Sequence, residues 1–186
     1  MNTQLFVLSV ALSCTLSGHA MAMTQAEYSA QKDTVSDQYK AAKEKCSNLK
    51  SNAKDICVSQ AKGAEKVAKA DLEAAYDPSA RRTEKAAIAR GDAAYDTAKE
   101  KCDDLSGNAK SVCRKDAKVL LVTAKEEARV VRVSAETGKV NAAMRKEATA
   151  EEKQAQYKAT AQRCEALAGV PKDGCINDAK VKFGMK

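Results

Sequence analysis

The chain has 186 residues, with 32 Lys and Arg against 25 Asp and Glu for a formal net charge of +7, one His, seven Cys and no Trp. Its 44% hydrophobic content is largely alanine: past residue 22, 33 of 164 residues are Ala, and Leu, Ile, Val and Phe together number only 22. So few large apolar side chains argue against a β-sandwich or a doubly wound α/β enzyme, whereas Ala, Glu, Lys, Leu and Arg fill about half of that stretch, as in long helices and coiled coils.

Residues 1–22 read as an export signal. Leu5 to Leu16 form an apolar run of h-region length, too short to span a bilayer as a helix. Ala20-Met21-Ala22 places small residues at −3 and −1 of a signal-peptidase site, so cleavage is expected after Ala22. The n-region, Met1 to Gln4, carries no Lys or Arg and leaves only the α-amino group as positive charge. Cys14 follows a weak lipobox, Ala11-Leu12-Ser13, and gives a lipid-anchored form as the alternative. Loss of the signal removes Cys14 and His19, leaving six cysteines and no histidine.

Beyond it, one motif occurs three times. Tyr39 to Cys57, Tyr95 to Cys113 and Tyr157 to Cys175 align at offsets of 56 and 62 residues. Each copy has C-x10-C spacing, Tyr seven residues before the first Cys, Leu three after it (Leu49, Leu105, Leu167) and Ala four after the second (Ala61, Ala117, Ala179). Such repetition sets the architecture. Tyr39, Ala42, Cys46 and Leu49 step by 3, 4 and 3, as do their counterparts, which predicts an apolar stripe on a helix with the tyrosines in the core. Ser51, Gly107 and Gly169 then align where a helix is expected to stop. Asn52 and Asn108 (Val170 in the third copy) are expected to cap the next helix, with Pro171 at a first helical position.

The two cysteines of a copy therefore face each other across a tight turn. On one unbroken helix they would lie roughly 16 Å apart, beyond the ~7 Å reach of a disulfide. Intrachain pairs Cys46–Cys57, Cys102–Cys113 and Cys164–Cys175 are expected, each closing a loop of about 12 residues and worth about 3 kcal/mol on the chain-entropy account. The second helix of copy one runs through Ala61, Ala64, Ala68 and Leu72 to a break at Asp77-Pro78. Ile88, Gly91, Tyr95, Ala98 and Cys102 mark the next helix, and Ala117, Leu120, Ala124 and Val131 the one after, to about Ser134, with Thr137-Gly138 as the second linker. The last arm ends near Phe183. The expected fold is all-α: three disulfide-clasped antiparallel helical hairpins, spanning residues 23–77, 78–137 and 138–186, in an elongated bundle or coiled-coil-like array.

Chemistry is sparse. Without histidine after export, neither a Ser-His-Asp nor a Cys-His arrangement is available. Adjacent acids such as Asp103-Asp104, Glu126-Glu127 and Glu151-Glu152 point about 100° apart on a helix and read as solvated faces. Thiol-redox and metal-thiolate roles for the cysteines are weaker readings than structural disulfides, because such sites use closer spacing. No catalytic residue, cofactor, metal or small-molecule substrate is implied. Residues 114–163 hold 12 basic against 7 acidic side chains. Arg114, Lys115, Lys118, Arg129, Arg132, Arg145 and Lys146 are thus candidate contacts for a polyanion such as nucleic acid, lipopolysaccharide or anionic lipid. Interleaved acids also fit a solvated helix.

The segment Ala98-Lys-Glu-Lys-Cys102-Asp-Asp-Leu-Ser-Gly-Asn-Ala-Lys-Ser-Val-Cys113, set between Ala- and Lys-rich helices, resembles a group of small exported proteins of Gram-negative bacteria often labelled cell-envelope or TolA-like. The likeness covers nearly all of the chain after the signal, whereas the likeness to TolA itself is one of composition. It implies a periplasmic helical protein with a structural or protein-interaction role among other envelope proteins, and it supplies no catalytic residues.

Overall fold

The computed structural model describes residues 23–138 and 142–186. The expected signal with its cleavage point, Cys14 and His19, and the link residues Lys139, Val140 and Asn141 lie outside the described residues. The fold is all-α, with helices α1 (Gln25–Lys45), α2 (Ser51–Tyr76), α3 (Ala80–Cys102), α4 (Gly107–Thr137), α5 (Ala142–Cys164) and α6 (Gly169–Phe183). Their starts follow local chemistry. Thr24 opens α1 with a capping box: its hydroxyl accepts from the Glu27 N–H at 3.2 Å, and Glu27 Oε2 accepts from the Thr24 N–H at 2.8 Å. Ser79 caps α3 after the Asp77-Pro78 break, accepting from the Arg82 N–H.

Among the described residues each helix packs only on its neighbours in the chain, in the order α1 to α6. Cross-helix contacts are antiparallel throughout. Asn52, at the start of α2, meets Glu100 near the end of α3, while Glu73, late in α2, meets Lys85 early in α3. All three hairpin turns therefore lie at one end of the array, and the link at Asp77–Ser79 lies at the other. At that far end Tyr28 and Tyr76 stack with ring centroids 4.4 Å apart, and the Tyr76 hydroxyl donates to Gln25.

The core is an alanine seam. Its buried members are ten alanines, Leu72, Leu121, and Cys46, Cys102 and Cys164. Ala61, Ala117 and Ala179, the repeated alanines, are all buried. Small side chains let backbones approach closely. A Cβ placed on Gly63 of α2 would lie 2.8 Å from the Ala93 Cβ of α3, and one on Gly91 of α3 would lie 2.9 Å from the Ala124 Cβ of α4.

Four expectations change. The α4 stripe was expected through Leu120 and Val131, but these are 71% and 58% exposed, and Leu121 is buried at 4% instead. The Gly91 crossing is the reason, because it draws Leu121 and Ala124 onto α3. Leu49, Leu105 and Leu167 do not continue the helical stripe: the first helix of each hairpin has ended, and each leucine N–H donates to the carbonyl of the preceding Cys at 3.0–3.1 Å, leaving the side chain about half-exposed in the turn. The aligned Ser51, Gly107 and Gly169 do not end the first helix; they open the second with φ of 48°, 54° and 59°. Left-handed backbone there suits glycine and puts the following residue already inside the helix, so the caps fall on Lys50, Ser106 and Ala168, without side-chain bonds, and not on Asn52, Asn108 and Val170. Tyr39, Tyr95 and Tyr157, expected in the core, are only partly buried.

Candidate functional site

The clasped turns concentrate what the sequence singled out. Cys46–Cys57, Cys102–Cys113 and Cys164–Cys175 are disulfide-bonded, with Cα atoms 5.6, 5.7 and 5.7 Å apart. Three such bonds mark a chain that folds in an oxidising compartment. No helix among the described residues is long and apolar enough to cross a membrane.

Freed from capping, the aligned asparagines join one hairpin to the next. Asn52 Nδ2 donates to the Glu100 carbonyl at 2.7 Å across α2 and α3. Asn108 meets Gln162, the repeat counterpart of Glu100, across α4 and α5 at 2.8 Å. A half-turn of the Asn108 amide aims Nδ2 at the Gln162 carbonyl (3.1 Å) and offers Oδ1 to the Ala166 N–H (3.3 Å), reproducing the first contact. The third counterpart, Val170, is 83% exposed. An amide–carbonyl bond of this kind is worth about 1 kcal/mol, and more when its loss strands a shielded carbonyl. Asn52→Ala and Asn108→Ala are each expected to cost about 1–2 kcal/mol, and the double variant roughly the sum, since the sites are far apart. Urea unfolding of the three variants checks this.

Charge follows the same one-dimensional logic. The basic face of α4 lies along acids of α3 and of the turn that follows it. Arg114 contacts Asp103 at 2.7 Å, Lys125 contacts Asp92 at 3.0 Å and Arg132 contacts Glu84 at 2.7 Å, while Lys118 lies over the Tyr95 ring. Arg129 turns the other way, to Glu147 of α5 at 2.9 Å, and Arg163 of α5 pairs with Asp116 of α4. Four of the seven basic candidates, Arg114, Lys118, Arg129 and Arg132, are thus engaged inside the array. Lys115, Arg145 and Lys146 are exposed and have no carboxylate partner among the described residues.

Asp92 joins three helices, accepting from Lys66 of α2 (2.9 Å) as well as from Lys125 of α4. Partial burial acts to raise its pKa, but the hydrogen bonds and charge of the two lysines outweigh it and hold the carboxyl below the usual aspartate range. Asp103 is held low in the same way: desolvation opposes ionisation, and Arg114 and Lys110 overcome it. A pKa lower in the folded state than in the unfolded one means stability that is complete above the unfolded aspartate value, about 4, and is lost as pH falls through the folded value. The melting temperature is expected to fall between about pH 5 and pH 3, and Asp92→Asn to flatten that fall while costing less than about 1 kcal/mol at pH 7. Calorimetry across that window tests it.

Sequence reasoning missed the inter-hairpin role of Asn52 and Asn108 and the bridging role of Asp92. A signal for the first was present: the polar residue stands only in the two copies that are followed by another. No such signal exists for Asp92, whose partners come from α2 and α4 at unrelated spacings. Among the described residues no group of three or more His, Cys, Asp or Glu side chains could hold a metal ion. In comparisons with known proteins the chain matches no family model, no curated protein and no solved structure.

Proposed function

We propose that this chain is an exported, non-enzymatic protein of the Gram-negative cell envelope, acting in the periplasm as a structural element or protein-interaction platform. The repeated clasp carries the reading: three equal disulfide loops at one end of an array whose helices touch only their chain neighbours. Arrays of this kind expose extended lateral surfaces, which is how helical repeats meet partners. Leu120 and Val131 stand out from α4 on such a surface. The signal-like residues 1–22 and the likeness of the repeat to envelope proteins support the location, with a lipid anchor at Cys14 as the alternative form. The test is fractionation with intact-mass analysis, followed by photo-crosslinking from Leu120 and Val131 in cells. A periplasmic chain beginning at Met23, two hydrogens lighter per clasp and crosslinked to a discrete envelope protein, is expected. A cytoplasmic chain with reduced cysteines overturns the proposal.

A second reading, polyanion binding, rests on the unengaged Lys115, Arg145 and Lys146. With a slope of about −0.9 per phosphate contact, three contacts give a log–log salt slope near −3 on duplex DNA, and binding to lipopolysaccharide should likewise weaken as salt rises. A slope twice as steep would require the engaged arginines to leave their carboxylates, and a flat response removes the reading.

A further inference from the structure

The two sulfurs of each clasp sit in unlike surroundings. Cys46, Cys102 and Cys164 are 1%, 0% and 0% exposed, whereas Cys57, Cys113 and Cys175 remain partly exposed. The asymmetry recurs because the fold creates it. The first cysteine stands at the end of a helix, where the turn folds over it; the second lies in the second turn of the following helix.

We propose that each clasp is a one-sided thiol–disulfide exchange site. An external thiolate, carried by a small thiol or a dithiol oxidoreductase, attacks Cys57, Cys113 or Cys175, and Cys46, Cys102 or Cys164 is the leaving sulfur. Exchange proceeds along the S–S axis, with the attacking sulfur on the far side of the atom it attacks. Cys113 is partly exposed and leaves room for that approach, whereas Cys102 is fully enclosed and does not. In the first step the external thiolate bonds to Cys113 Sγ, and the electron pair of the Cys102–Cys113 bond departs with Cys102, which then takes a proton from water. In the second step another thiolate of the reductant displaces Cys113 and leaves as the oxidised disulfide, so two electrons pass to the protein. By microscopic reversibility, oxidation runs through a mixed disulfide on Cys113 that the Cys102 thiolate resolves.

The same enclosure makes exchange slow. Cys102 and Cys164 are the last residues of α3 and α5, and Cys46 directly follows α1. A thiolate formed there meets the negative end of the helix dipole in apolar surroundings, and both oppose it. A poor leaving thiol retards exchange. Packing of the array thus shields the clasps from thiols that would reduce them once the helices part.

Single variants of the mature full-length chain test the asymmetry with the other two clasps intact. Cys102→Ala strands Cys113, and Cys113→Ala strands Cys102. N-ethylmaleimide labelling followed by intact mass is expected to run at least about tenfold faster on the stranded Cys113, with equal rates once both variants are unfolded in urea. Equal rates in the folded proteins overturn the proposal. Should either variant lose its helical circular dichroism, brief treatment of the wild-type protein with glutathione and mapping of the mixed disulfides decides instead. Adducts on Cys57, Cys113 and Cys175 are expected, and adducts on Cys46, Cys102 or Cys164 refute the assignment.

Discussion

Replacing Cys102 and Cys113 together by alanine is expected to lower the melting temperature by about 6–12 °C. The clasp closes a loop of about 12 residues, so its loss restores about 3 kcal/mol of chain entropy to the unfolded state, and a chain of this size loses about 2–4 °C per kcal/mol. Little else compensates. The buried side chains are mostly alanines, and each apolar carbon removed from water contributes only about 0.8 kcal/mol. Position in the array shapes the outcome. Helices α3 and α4 each have packed neighbours on both sides, so weakening their hairpin cuts the array in the middle. Replacing Cys164 and Cys175 by alanine releases a loop of the same length, but α6 is only 15 residues long and packs on α5 alone. There the expected result is local: rapid amide exchange throughout α6, with the main transition moved far less. Calorimetry combined with hydrogen exchange separates the two cases. A central variant that melts with the wild type would show that the helix seams, and not the clasps, carry the stability.

The hairpins were legible in the sequence because their signals are local and repeated three times. Cysteine spacing, the aligned glycines and the Asp77-Pro78 break each constrain a few residues of backbone, and the helices end near where those signals lie. What escaped depends on partners distant in sequence. The periodicity on α4 fits a seam through Leu120 as readily as one through Leu121, and the choice falls to Leu121 only because Gly91, on another helix, lets α3 approach at that point. The asparagines illustrate a different limit. Asn52 stands just where capping chemistry expects it, yet the left-handed residue before it starts the helix two residues early and turns the amide towards the next hairpin. Basic residues on α4 gave a surplus that composition alone assigns to the surface, whereas most of it is met by acids on α3, on α5 and in the turn after α3 that no spacing rule connects to them.

These corrections share a physical basis. In an array where each helix touches only its chain neighbours, stability is a sum of hairpin terms and seam terms. The hairpin terms are covalent, set by the clasps. The seam terms come from close backbone approach, from the Asn52 and Asn108 contacts, and from ion pairs that are individually worth less than about 1 kcal/mol. A seam without large side chains depends on how near its helices come, and glycine sets that distance.

Gly63→Val and Gly174→Ala should therefore change stability in opposite directions, although both alter a glycine inside a helix. Alanine is worth about 1 kcal/mol over glycine in a helix interior, and valine somewhat less. At Gly174 a Cβ meets nothing within 4 Å, so Gly174→Ala should gain most of that amount. At Gly63 a Cβ lies 2.8 Å from the Ala93 Cβ and 3.4 Å from its Cα. Neither atom belongs to a flexible side chain that could swing aside, so α2 and α3 must separate. Valine adds two methyl groups to that clash. Overpacking of this kind costs about 1–3 kcal/mol, and separation also pulls on the Asn52–Glu100 and Lys66–Asp92 contacts of the same seam. A net loss of about 2 kcal/mol is expected for Gly63→Val, or about 4–8 °C. Gly63→Ala combined with Ala93→Gly moves the methyl across the seam and should recover to within about 1 kcal/mol of the wild type, because the pair is coupled through one contact. Equal stabilisation at Gly63 and Gly174 would show that helix propensity alone governs these positions and that the close crossing contributes nothing.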